Sequence, residues 1–276
     1  MSADVPDDFS GLWLPLITPF ADSAVDAEAL KRLVSHYNQT SLKGYVACGS
    51  TGEAAALEDE EKLAVMQTIL TAAAGRPVIM GVAGDNLRHV LRWVAQLNTY
   101  PLAGLLVPAP SYIRPSQAGL CQWFKAIADT SRAPLVIYDI PARTGSRIEL
   151  ETFRSLYAHP RIQAVKDCSG DPVKTEALIE DRRLAVLTGE DTQIFQTVAR
   201  GGAGAIAAAA HLQTQAFADT VAYLRSGRLA QARSSWAPLP HAVAAMYAQP
   251  NPASIKAALA REGWIRNELR PPMATA

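Results

Sequence analysis

The sequence predicts a (β/α)8 barrel with a C-terminal helical extension, and three observations predict it. Short apolar runs bounded by Gly, Pro or polar residues recur eight times. Most are apolar throughout rather than alternating, as expected when both faces of a parallel strand are covered. Their starts fall roughly every 20 to 33 residues with helical patterns between, so eight strand-then-helix units fit within about 225 residues.

In chain order the runs are LWLPLIT (12 to 18), GYVACG (44 to 49), PVIMGV (77 to 82), GLLVPA (104 to 109), PLVIYDIP (134 to 141), IQAVKDCS (162 to 169), LAVLTGED (184 to 191) and AGAIAAAA (203 to 210). The small side chains of the last run suit a narrow eighth strand. Between them lie amphipathic stretches such as 26 to 39, 58 to 75 and 116 to 131; the second has acidic residues at its start and Gly75 past its end, as helix ends prefer. Residues 228 to 262 continue in helical pattern, interrupted by WAPLP (236 to 240) and AQPNPAS (248 to 254). With no linker in view, residues 1–276 read as a single domain, with the barrel over about 9–227 and the extension over about 228–276. A doubly wound sheet is the alternative.

A formal net charge of zero with 19% charged residues argues against a nucleic-acid or anionic-membrane partner, since both require a basic face. Cys48, Cys121 and Cys168 are widely spaced and odd in number, which points away from a disulfide framework or structural zinc. The start MSADVPDDFSG lacks the basic and apolar regions of a signal peptide, and no run of about 18 apolar residues follows. A cytoplasmic location is expected. His36, His89, His159, His211 and His241 show no close ligand pairing, so no metal is expected. GGAGA (201 to 205) precedes a strand instead of opening a helix, and reads as a tight turn rather than a nucleotide site.

The chain has seven lysines against nineteen arginines, so each lysine can be weighed separately. Lys31, Lys43, Lys62, Lys125, Lys174 and Lys256 fall on patterns that read as exposed helical faces or ends. Lys166 instead follows Ile162, Ala164 and Val165 at the end of a strand. A barrel carries its chemistry at such strand ends, where GSTGE (49 to 53), PSYIRPS (110 to 116) and YDIPARTG (138 to 145) also fall. GSTGE supplies the hydroxyls of Ser50 and Thr51 and backbone N–H groups for an anion. Tyr138 brings a phenol, Tyr112 a second one, and Arg143 a guanidinium able to clamp a carboxylate. An amine, hydroxyls to relay protons and an arginine for an acid group suggest Schiff-base chemistry, with burial expected to lower the Lys166 amine from about 10.4 toward neutrality. Cys168 reads as a small buried filler.

These residues resemble the pyruvate-dependent class I aldolases and lyases that include dihydrodipicolinate synthase and N-acetylneuraminate lyase. FSGLWLPLITPF (9 to 20), GSTGE, RPSQAGL (114 to 120), YDIPARTG, VKDCSG and PNPASIK (250 to 256) carry the likeness over nearly the whole chain. The resemblance implies a lyase in which Lys166 forms an imine with pyruvate, Tyr138 shuttles protons, and Ser50 links Tyr138 to Tyr112. It further implies that Thr51 and its neighbours hold the pyruvate carboxylate, that Gly189 and Ile206 line the pocket, and that Arg143 binds the carboxylate of aspartate semialdehyde, as in the synthase branch. It implies no cofactor beyond the covalent imine, and a homo-oligomer, dimer or tetramer, in which Tyr112 reaches a neighbouring site. Lyases of N-acetylneuraminate or 2-keto-3-deoxy sugar acids, and a non-catalytic oxo-acid sensor, are the alternatives. Ser50, Ser111, Ile113 and Asp139 depart from the synthase pattern; Ile113 and Asp139 are expected to alter the second substrate's surroundings. Ala54, Ala55 and Lys62 near the turn after GSTGE make poor company for a cationic inhibitor, so inhibition by lysine is expected to be weak or absent.

Overall fold

Local signals set the helices. Asp26 accepts from Ala29 N–H (2.8 Å) to start α1, Ala27–Tyr37. Asn86 caps α3, Leu87–Leu97, through His89 N–H, and Ser116 caps α4, Gln117–Thr130, through Gly119 N–H. Such side-chain oxygens satisfy donors that the first helical turn leaves open. Between them, α2, Asp59–Ala72, begins with Asp59, Glu60 and Glu61 in its first turn, where the helix dipole favours negative charge. α5 is Leu150–Leu156; α6, Pro172–Asp181, starts with Asp171 as cap and a proline whose missing N–H would be unpaired there anyway. α7 is Ile194–Ala199 and α8 Thr214–Arg225, and the extension follows as α9, Leu229–Trp236, α10, Leu239–Met246, and α11, Ala253–Arg261.

The computed structural model describes residues 9–276; the acidic start at residues 1–8 lies outside them. Eight strands appear where the apolar runs predict them: β1 Gly11–Pro15, β2 Gly44–Ala47, β3 Val78–Gly81, β4 Gly104–Pro108, β5 Leu135–Asp139, β6 Ile162–Asp167, β7 Ala185–Thr188 and β8 Gly204–Ile206. They form a closed parallel barrel in the order β1-β8-β7-β6-β5-β4-β3-β2. Each is shorter than its apolar run. The alanine run is the clearest correction: β8 stops at Ile206, and Ala209–His211 form a 3-10 turn, because these alanines pack as a buried turn rather than pairing in the sheet. GGAGA is the turn from α7 into β8, with Gly201 at φ +105°. No described helix is long and apolar enough to cross a membrane.

Two compact units divide the chain at β3 and β8. One, built on Gly81–Ala205, holds β4 to β7 with α3 to α7. Its core is Leu105, Val107, Leu120, Phe124, Ile127, Val136, Phe153, Val165 and Leu187, all nearly inaccessible to solvent. The other joins Gly11–Met80 to Ile206–Ala276 and packs β1, β2, α1 and α2 with α8 and the extension. Trp13, Tyr37, Tyr45, Phe20 and Phe217 are its largest buried side chains.

His211 is one of the groups that tie this second unit together. Its Nε2 accepts from Ile17 N–H (3.2 Å) and its Nδ1 lies 2.8 Å from Ala208 O, so the neutral ring with Nδ1–H fits both partners. Burial drives its pKa down from 6.5 to about 4. A base whose folded value is depressed contributes stability that is full above pH 6.5 and lost as the pH falls through about 4. The loss should reach on the order of 3 kcal/mol. Urea denaturation between pH 7.5 and about 4 should show it, and His211→Gln should flatten that part of the curve.

Candidate active site

Within the first unit, β5 and β6 run in parallel register, pairing Tyr138 with Lys166 and Asp139 with Asp167. Successive side chains on a strand point to opposite faces, so one pair faces the interior and the other faces the helices. Tyr138 and Lys166 form the inner pair. The Lys166 Nζ lies 4.4 Å from the Tyr138 ring centroid, and both residues are buried, at 8% and 6% exposed. The neighbouring Cys168 thiol is also buried and hydrogen-bonds the same tyrosine. Burial pushes that thiol up to about 12, so it stays protonated at neutral pH. It is the small buried residue the sequence suggests, with a polar contact added.

The expected lowering of the Lys166 pKa does not occur. Burial, the largest single influence, does pull it down, but Tyr138, Cys168 and Asp191 act the other way and leave it raised, the first two through their ionised forms. Sequence reasoning missed Asp191. It is 2% exposed at the start of the 3-10 turn after β7, and the only signal for it was an acid at the end of the GED run.

Gly189 follows β7, its N–H held by Asp167 O (2.9 Å). A Cβ there would collide with the Lys166 Cε and the Cys168 Sγ, so glycine is what lets the loop lie against the amine's stem. Gly189→Ala should displace the amine and lower kcat/KM by about 10²-fold, with a stability loss of about 1–3 kcal/mol from overpacking a buried site. Steady-state kinetics beside a melting curve would check this.

The outer pair corrects two expectations. Asp139 is fully buried and takes Lys174 Nζ at 2.6 Å, while Lys174 also donates to Ile148 O. Lys174 is thus 7% exposed rather than on an exposed face, and Asp139 is spent on α6 instead of on a substrate's surroundings. Asp167 does not pair with Lys166 across the strand; it accepts from Ser169 N–H and from the Thr175 hydroxyl.

Arg143 lies in a single helical turn, Pro141–Thr144, just after β5. It is exposed and makes no ion pair among the described residues. Tyr112 is 91% exposed at φ +66°, and Ile113 is 56% exposed. Ser111 N–H and Oγ both bond to Asp85 Oδ1.

In the second unit, the loop Gly49–Glu53 follows β2. Gly52 N–H bonds to Gly49 O and Glu53 N–H to Ser50 O, folding the loop tightly, while the N–H groups of Ser50 and Thr51 donate to no acceptor among the described residues. A side chain at Gly52 would strike Leu16 O, and the Thr18 hydroxyl donates to Gly52 O (2.7 Å). Thr51 is buried, its hydroxyl accepting from Asn251 Nδ2 (3.0 Å); Ser50 is half-buried. Ile206, at the end of β8, is fully buried. Among the described residues no three His, Cys, Asp or Glu side chains gather into a possible metal site.

The family model for the dihydrodipicolinate synthetase family matches residues 8–276. The chain belongs to the dihydrodipicolinate synthetase family. A 4-hydroxy-tetrahydrodipicolinate synthase 2 from Clostridium acetobutylicum is 33% identical over 267 residues, covering 95% of this chain and 93% of the relative. Among solved structures, the chloride-inhibited dihydrodipicolinate synthase from Acinetobacter baumannii complexed with pyruvate superposes with a TM-score of 0.93 at 29% identity, covering 96% of this chain and 93% of its own. A monomeric dihydrodipicolinate synthase variant gives a TM-score of 0.93 at 27% identity, covering 98% and 92%. A dihydrodipicolinate synthetase family member with this barrel is an enzyme of the class I aldolase type, so the fold and reaction class anticipated by the motifs hold.

Proposed function

We propose that this protein is a 4-hydroxy-tetrahydrodipicolinate synthase that condenses pyruvate with aspartate semialdehyde through an imine on Lys166. The observation that carries the reading is the buried Lys166 amine set beside Tyr138 on adjacent strand ends, with Gly189 against its stem. Tyr138 relays the ammonium proton, giving its own phenolic proton to the carbonyl oxygen as it takes one from Nζ; Nζ bonds to the carbonyl carbon, and the oxygen, protonated twice by that relay, leaves as water. Loss of a methyl proton gives the enamine that attacks the aldehyde. No metal or separate cofactor enters these steps.

The open N–H groups of Ser50 and Thr51 support a role for their loop as receiver of the pyruvate carboxylate. In this reading the Ser50 hydroxyl passes protons between Tyr138 and Tyr112, and Gly189 and Ile206 bound the pyruvate pocket. Arg143, exposed and without an ion pair, is suited to clamp the aldehyde's carboxylate. The exposure of Tyr112 and Ile113 favours a second copy of the chain over that surface, as a dimer or a tetramer built from dimers, acting in the cytoplasm. Asp85 and Ser111 bond to each other and Lys62 pairs with Asp59, which leaves little for a lysine inhibitor to contact.

Borohydride added with pyruvate should fix one reduced adduct on Lys166. A panel of aspartate semialdehyde, N-acetylmannosamine and sugar-derived aldehydes should then give the highest kcat/KM with aspartate semialdehyde, undiminished by micromolar lysine. A higher value with a sugar aldehyde would move the assignment to the aldolase branch. Absence of any adduct would sink the imine mechanism and favour an oxo-acid sensor.

A further inference from the structure

Lys256, another residue with an exposed-face pattern, is fully buried. It lies on α11, and its ammonium forms an ion pair with Glu53, the last residue of the GSTGE loop. The same Nζ donates to Glu268 O (2.9 Å) and sits 4.1 Å from the Phe20 ring centroid. Glu53 is itself 6% exposed and holds a left-handed backbone at φ +52°. Its other carboxylate oxygen accepts from Arg270 N–H (3.1 Å). The Arg270 guanidinium, 4.6 Å from the Phe20 ring, donates to Ala56 O just past the loop and pairs with Glu61. Asn251, just before α11, holds the Thr51 hydroxyl.

The GSTGE loop is therefore gripped by the C-terminal segment at two residues, Thr51 and Glu53, and again at Ala56 just beyond it. A buried ion pair is weak evidence for net stability, because desolvation offsets most of the attraction, but its directional geometry can fix one arrangement among several. At Glu53 the constrained element is a loop whose backbone takes a conformation unfavourable for a residue with a side chain.

We infer that Lys256 is a positioning residue: through Glu53, and together with Arg270, it fixes the loop that receives the substrate carboxylate, so the C-terminal extension sets affinity for pyruvate. This rests on the proposed role of the Ser50–Thr51 loop. Lys256 touches no reacting atom, and Lys166 and Tyr138 belong to the other unit, so its loss should act on binding more than on imine chemistry.

Lys256→Met/Glu53→Gln removes both charges and strands neither. Borohydride trapping over a range of pyruvate concentrations should give half-saturation about tenfold or more above wild type, with the trapping rate at saturating pyruvate within about threefold. Unchanged half-saturation in a folded double variant overturns the inference. If that variant does not fold, Arg270→Gln decides it by the same readout, since that guanidinium is partly exposed: a raised value supports the clamp and an unchanged one overturns it. Thr51→Val reports on the loop's role separately. A rise there without one in the clamp variants defeats the clamp alone; no rise in either defeats the clamp and denies the Thr51 hydroxyl a part in binding; a rise only in the clamp variants keeps the clamp and leaves the backbone N–H groups as the receiving ones.

Discussion

Lys166→Ala is expected to abolish the borohydride-trapped pyruvate adduct and to lower kcat/KM by at least about 10³-fold. In the proposed mechanism the amine forms the covalent bond on which every later step depends, so removing it takes away a pathway rather than a contact. Lys166→Arg is the sharper companion. It keeps a cation beside Tyr138 and Asp191, but a guanidinium remains protonated and cannot attack a carbonyl. It should be as inactive as the alanine variant, and intact-mass spectra after reduction should show no adduct on either. Turnover by Lys166→Arg within about tenfold of wild type would mean the lysine acts only as a positive charge.

The largest stability effect is expected at a residue that takes no part in the proposed chemistry. Lys174→Met leaves the Asp139 carboxylate buried without its cation, which should cost about 3–5 kcal/mol in urea denaturation near pH 7. Burial is the main influence on Asp139 and holds its pKa above the ordinary carboxylate value, even though Lys174 pulls it back. A raised acid contributes stability that is full below its unfolded value of 3.8 and lost as the pH rises through its folded value. The Lys174→Met deficit should accordingly shrink on acidification toward pH 4, where the stranded carboxylate takes a proton. Lys174→Met/Asp139→Asn should recover at least half of the loss at neutral pH, because no buried charge is left unpaired. A deficit independent of pH would point to lost packing by the lysine stem instead.

The strand pairing explains how this ion pair bears on the site. Tyr138 and Asp139 are consecutive, as are Lys166 and Asp167, so what Asp139 and Asp167 bond on the helix side bears on how firmly Tyr138 and Lys166 are held on the other. Where the resemblance leads one to expect an asparagine after this tyrosine, the chain carries Asp139, and Lys174 supplies the matching charge. Sequence inspection noticed the aspartate and not its partner.

The sequence by itself determined the barrel, because continuous apolar runs and capped helices are local signals that need no knowledge of contacts. It also singled out Lys166, because GSTGE, Tyr138 and Arg143 at neighbouring strand ends outweigh the bland reading that a lone strand-end lysine invites, and the ordered motifs placed the chain in its family. Only the tertiary structure decided which other charges are buried. Lys174 and Lys256 have the helical spacing of exposed residues, and what buries them is a carboxylate far away in the chain, Asp139 in one case and Glu53 in the other. The same holds for the Lys166 pKa. Burial alone predicts a lowered value, but the direction is set by Tyr138, Cys168 and Asp191, whose joint effect depends on distances that residue order does not contain.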